Sequence, residues 1–168
     1  MSTEDQPHGG QFMSAEDYGR SLKGLGINLL VRDVARSALF ARTVLGAEIV
    51  YSDKDFAVLR QGPAGADRCH WMLHADGTYH SHPLLGLLSD APIRGLGIEI
   101  RLYHCDPDRA VAEAKAHHHH VLAPPVDKPH GLREAYIMDP DGYCWVPSLP
   151  KQKPAEGEAH ETASAPQT

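Results

Sequence analysis

The residues best suited to chemistry are a set of histidines, three cysteines and a few polar side chains on apolar strands. The chain holds 12 histidines. His117 to His120 are consecutive and follow a helical stretch. A helix C-terminus favours partly cationic imidazoles. Neighbouring side chains point in different directions, so the run reads as an exposed helix end with incidental metal affinity. His70 and His74 share a strand face with Met72, and His80 and His82 follow in a loop. A zinc site drawn from these four requires the loop to fold back onto the strand. Cys69, Cys105 and Cys144 form no C-x-x-C pattern and no disulfide framework. Cys69-His70 and His104-Cys105 are sequence neighbours, which does not make a nucleophile and its base. No G-x-G-x-x-G and no phosphate loop is present, so no nucleotide cofactor has motif support.

Polar side chains at alternate strand positions are a second candidate set. Side chains two apart on a strand share a face. LGIEIRLYH (96–104) therefore groups Glu99, Arg101 and Tyr103, and GLGINLLV (24–31) groups Gly26, Asn28 and Leu30. Arg133 and Glu134 open REAYIMD (133–139), where Tyr136 can offer a hydroxyl while its ring packs on apolar neighbours. Tyr143 and Trp145 alternate with Cys144 and Val146, so the two pairs face opposite ways. The plainest role for Trp145 is a core aromatic. The plainest role for Glu99 and Arg101 is solvent exposure or cross-strand pairing.

The elements that position these residues occur twice in one order. In the first half, 24–31 reads as a buried strand, and Asp33 caps a helix with Val34, Ala38, Ala41 and Leu45 on its buried stripe. Gly46 stops that helix. AEIVYSD (47–53) and FAVLRQG (56–62) form a hairpin through the Asp53-Lys54-Asp55 turn, and RCHWMLHA (68–75) is a further strand. A linker covers about 76–93. In the second half, 96–104 is a strand, and Asp106-Pro107 opens a helix to about 118. VLAPP (121–125) is a short strand, and 133–139 and YCWVP (143–147) flank a Pro140-Asp141-Gly142 turn. The repeat is one of architecture, with little residue identity.

Composition bounds the classes that remain. The 168 residues carry 16 basic and 22 acidic side chains, a net charge of -6. A length of this order supports one core or two small modules sharing one. The acid excess argues against nucleic-acid binding, which needs a basic stripe. No apolar run approaches the roughly 20 residues of a membrane span. The acidic, polar N-terminus is no signal peptide, so a reduced, cytoplasmic setting is expected. Residues 1–20 and 149–168 read as flexible tails around a folded unit of 21–148, with modules of about 21–75 and 94–148. The tails hold -3 and -1 of the charge, leaving -2 on the folded unit. The net charge is thus poor evidence for a cationic ligand.

Two segments carry a family resemblance. LLVRDVARSALFARTVLGAEIV (29–50) and PPVDKPHGLREAYIMDPDGYCWVP (124–147) resemble the opening and closing segments of the glyoxalase, bleomycin-resistance and extradiol-dioxygenase superfamily, also called vicinal oxygen chelate proteins. The likeness covers roughly 24–147. It implies an α+β fold of two paired βαβββ modules, with curved mixed sheets around a concave cavity. It also implies a small organic ligand and frequent homodimers. Many members bind a divalent metal through strand side chains. Matched by position, those ligands fall at Gly26, Glu99 and Val146, so most of the set is missing. One carboxylate does not hold a divalent ion tightly.

The resemblance points Gly26 and Glu99 into the cavity and makes Asn28, Glu99 and Arg101 its polar floor. Arg133 and Tyr136 join them as expected ligand-binding residues. The reading that follows is a bleomycin-resistance-like binding protein with no catalytic metal and no cofactor. The alternative is a metal-dependent lyase, isomerase or dioxygenase with replacement ligands, where Glu99 serves as a base. A purely structural or regulatory dimer is a third reading.

Overall fold

The computed structural model describes residues 13–62, 68–78, 83–88 and 93–151. A short helix, α1 (Ala15–Ser21), spans the boundary of the segment assigned to the N-terminal tail, 1–20. The first module follows as β1 (Ile27–Val31), α2 (Val34–Thr43), β2 (Glu48–Ser52), β3 (Phe56–Gln61) and β4 (Cys69–Ala75). A 3-10 turn at Asp76–Thr78 and α3 (Leu85–Leu88) lie in the expected linker. The second module contains β5 (Glu99–Tyr103), α4 (Pro107–Ala116), β6 (Val121–Asp127), β7 (Leu132–Met138) and β8 (Cys144–Pro150).

The two modules fold alike because the same signals open and close their elements. Asp33 caps α2 by accepting from the Arg36 amide at 3.0 Å. Asp106 caps α4 by accepting from the amides of Asp108 and Arg109, and Pro107 fills the first turn. The first sheet runs β1-β4-β3-β2 and the second β5-β8-β7-β6. In each, the first pair is parallel and the others antiparallel.

The α+β class and the paired βαβββ order agree with the expectation, but its curved sheets around a concave cavity need correction. Both sheets are open four-stranded layers without strong curvature. The buried side chains of the two modules connect into one cluster. Leu29, Val31, Ala57, Leu59, Trp71 and Leu73 from one sheet join Ile100, Leu102, Ala135, Ile137 and Trp145 from the other in a single core with α2 and α4. Strand alternation explains this: these residues form one face of each sheet, α2 covers the first and α4 the second, and the two layers meet at Trp71 and Trp145. The opposite faces, with Asn28, Val58 and Met72 on one sheet and Glu99, Arg101 and Val146 on the other, point away from those two helices.

Aromatic and polar contacts fasten the seam. The rings of Trp71 and Trp145 lie 5.2 Å apart, and those of Phe40 and His119 meet edge-on at 4.8 Å. Trp145 thus fills the core role expected of it. The Arg109 guanidinium donates to the carbonyls of Thr43 and Val44, both at 3.3 Å. The Tyr143 hydroxyl donates to the Leu30 carbonyl at 3.1 Å.

The closing turn reaches furthest across the seam. Asp141 is buried and accepts from the Arg32 amide at 3.1 Å, the Arg32 guanidinium at 2.9 Å and the Ser37 hydroxyl at 3.1 Å. Gly142 completes the turn at φ +89°, where a Cβ would lie 2.8 Å from the Ile93 side chain. Removing one partner of a buried charged cluster typically costs about 3–5 kcal/mol, because the others stay buried. Asp141→Ala should therefore lose about 3 kcal/mol or more in urea unfolding. A loss under about 1 kcal/mol would show that the turn does not clasp the modules.

Candidate functional site

The outward faces of the two sheets hold different chemistry. On the first, strand pairing sets Asn28 beside Met72, Met72 beside Val58, and His74 between Leu30 and Phe56. Tyr51 pairs with Val58 across the β2–β3 hairpin. The helix α1 contributes Tyr18 and Gly19 to a pocket at the hairpin end of this face, and Met13 and Leu22 flank the helix there. The pocket encloses about 570 Å³, within the range of small-molecule sites. Its remaining lining is Tyr51, Asp53, Asp55, Phe56, Met72, His74 and Thr78.

The hairpin turn builds the acidic end of this pocket. Asp53 accepts from the amides of Asp55 and Phe56 at 2.8 and 2.7 Å, which fixes the turn. Its other carboxylate oxygen accepts from the Tyr51 hydroxyl at 2.6 Å. Partial burial pushes the Asp53 carboxyl up, but these three bonds outweigh it and hold it below the ordinary value. The same bond to Asp53 raises the Tyr51 phenol. The Phe56 ring lies 4.6 Å from His74 and 6.1 Å from Tyr51. An apolar, aromatic wall thus meets an ionised carboxylate.

The second sheet's outward face is closed by its own ion pairs. Register places Glu99 beside Cys144, Arg101 beside Val146 and Glu134 beside Ser148. Arg101 donates to Glu99 at 2.9 Å and also to Glu134. His130 Nε2 lies 2.9 Å from the same Glu134 oxygen. Burial works against the charge on Arg101, yet the Tyr136 hydroxyl and both glutamates keep its guanidinium firmly protonated. The Lys128 ammonium sits 5.3 Å from the centre of the Tyr136 ring. Val146 is fully buried.

Of the five expected site residues, Glu99, Arg101 and Tyr136 therefore come together. Asn28 is exposed on the other sheet, beside Met72. Arg133 points to the opposite side of β7, toward α4, where it pairs with Asp108 at 2.6 Å and Asp127 at 3.0 Å. Tyr18, Tyr51, Asp53 and Phe56 were not singled out by spacing. The signal for Tyr51, Asp53 and Phe56 was the D-K-D turn bracketed by two aromatics, which read only as a hairpin; Tyr18 had none.

The described residues at the positions matched to metal ligands do not fit a divalent ion. Among the described residues, no three His, Cys, Asp or Glu side chains gather in a metal-binding geometry. Gly26 has no side-chain donor, Val146 is an alkyl group, and Glu99 is paired with Arg101. His70 and His74 lie on either side of Met72, while His80 and His82 fall outside the described residues. In the run from His117 to His120, His119 turns inward onto Phe40. Burial raises all three thiols, Cys105 up to about 11, which leaves them poor nucleophiles at neutral pH.

Fold and chemistry together can be set against known proteins. The family model of the Glyoxalase/Bleomycin resistance protein/Dioxygenase superfamily matches residues 25–146, and the chain belongs to that superfamily. No curated protein matches it. Among solved structures, it is similar to a glyoxalase/bleomycin resistance protein/dioxygenase family enzyme from Burkholderia phytofirmans PsJN. That pair shares 16% identity over 75% of this chain and 97% of the other, with a TM-score of 0.57. It is also similar to TioX from Micromonospora sp. ML1, at 17% identity over 79% and 100% of the two chains and a TM-score of 0.54. A glyoxalase-related enzyme from Fulvimarina pelagi gives 17% identity, 84% and 99% coverage and a TM-score of 0.56. At these identities the likeness is one of fold. No helix among the described residues is long and apolar enough to cross a membrane.

The ion-pair face makes a pH prediction. Burial pushes the Glu134 carboxyl up, but the bonds and charges of His130 and Arg101 hold it below its ordinary 4.5. A carboxyl depressed by folding stabilises fully above its unfolded value, and that stabilisation is lost as pH falls through the folded value. Glu134→Gln should therefore destabilise clearly at pH 7. Its deficit relative to the parent should shrink below about pH 4.5 in unfolding titrations. A deficit that is constant from pH 7 to pH 3 would contradict the ion-pair account.

Proposed function

We propose that this chain is a small-molecule binding protein of its superfamily that works without a catalytic metal, and that the pocket under α1 is its ligand seat. The observation that carries the reading is that pocket, apolar and aromatic with a few convergent polar groups. The donor chemistry supports it: a glycine, Gly26, and an alkyl group, Val146, stand at two of the three positions where the resemblance puts ligands, and the carboxylate at the third, Glu99, is paired with Arg101. The Glu99, Arg101 and Tyr136 face is an accessory contact surface in this proposal, with Asn28 at the border of the pocket. Arg133 serves the fold. The proposal includes a homodimer in the cytoplasm. The exposed Leu25, Leu96 and Ile98 beside the starts of β1 and β5 are the apolar surface that favours pairing of copies.

Protein purified without a metal-affinity column should hold less than about 0.1 equivalent of iron, zinc, manganese or nickel by elemental analysis. It should also gain melting temperature from organic compounds in a screen without added metal, an effect that Phe56→Ala reduces. Stoichiometric metal that is lost on replacing Glu99 with Ala would overturn the metal-free reading in favour of a lyase, isomerase or dioxygenase.

A further inference from the structure

We propose that the pocket under α1 selects an organic cation: an ammonium or amidinium group on a compact apolar or aromatic body. This rests on the reading of that pocket as the ligand seat and adds the charge of its occupant. Among the described residues, two acidic side chains, Asp53 and Asp55, and one imidazole, His74, line the cavity, and no lysine or arginine does. Lys54 lies 3.6 Å from Asp55, but its side chain is 89% exposed and stands outside the lining. Such a solvent-exposed pair is weak and readily exchanged.

The geometry around Asp53 favours recognition of a cation over storage of a proton. Both Asp53 oxygens already accept hydrogen bonds, and these favour the ionised form. Its negative charge is therefore fixed in place before a ligand arrives. The Tyr51 hydroxyl spends its proton on Asp53. The rings of Tyr18, Tyr51 and Phe56 supply π faces for a cation, and Met13 and Met72 supply polarizable thioethers for an apolar body. An anionic ligand would meet the carboxylates, with no guanidinium or ammonium among the described lining residues to compensate. The second sheet cannot offer the same service, because Arg101 and Lys128 stand among its acids.

The test is calorimetric titration of the full chain with benzyltrimethylammonium, benzyl alcohol and phenylacetate. The cation should bind, and the neutral and anionic probes should bind at least about tenfold more weakly. Asp53→Asn with Asp55→Asn should cost the cation about tenfold. Phe56→Leu should cost it several-fold. Asp55→Asn alone, at a half-buried position whose carboxylate holds no turn amide, keeps the test readable if Asp53→Asn disturbs the turn. Equal binding of all three probes, unaffected by the Asn variants, would overturn the charge assignment and leave the pocket standing. Absence of binding by all three would overturn the charge assignment and the pocket reading together.

Discussion

Asp141 lies buried at the seam between the modules, and its carboxylate holds donors from the other half of the chain. Arg32 offers it both an amide and a guanidinium, and Ser37 a hydroxyl. Arg94 lies 3.8 Å away and is itself held by Asp76, with two bonds of 2.6 Å. A buried carboxylate of this kind tolerates few arrangements of its partners, so it sets the register of one module on the other. The adjacent Asp139 anchors the same turn by accepting from the Trp145 indole at 3.0 Å. The turn that closes the second sheet thereby also places Trp145 against Trp71.

This constraint decides where ligands can go. With the apolar faces committed to the shared core, only the outward faces remain for binding. The two have diverged in chemistry despite their common strand order. One has satisfied its charges internally through Glu99, Arg101, Glu134 and His130. The other carries an aromatic pocket with acids at one end, roofed by a short helix. Repetition of architecture therefore does not imply repetition of function. The difference lies in side chains at matching strand positions, such as Met72 on β4 and Val146 on β8.

Much of the fold could be read from the chain itself. The stripe Val34, Ala38, Ala41 and Leu45, the caps Asp33 and Asp106, and the alternation along 96–104 each follow from local chemistry. The helix α1 could not be read this way, because seven residues with little apolar periodicity give no pattern. The meeting of the two layers at Trp71 and Trp145 was also hidden, since alternation says which residues share a face but not what that face meets. Arg133 shows the same limit. Its position on β7 was legible, but its partner Asp108 is 25 residues away and is reached only through packing of α4. The pocket combines α1 with a hairpin turn, elements more than 30 residues apart in the chain, and no local motif reports that meeting.

The central claim is that binding occurs on the first module's outward face, under α1. The chain's four methionines allow a direct measurement. Met13 and Met72 line the pocket, whereas Met138 lies on the outward face of the second sheet beside Cys144. Carbon-13 methyl NMR of the methionine-labelled protein should be followed during titration with the compound that most raises its melting temperature. The account predicts that Met72 and Met13 shift in a saturable way while Met138 stays fixed. A saturable shift of Met138 with Met72 unmoved would contradict it.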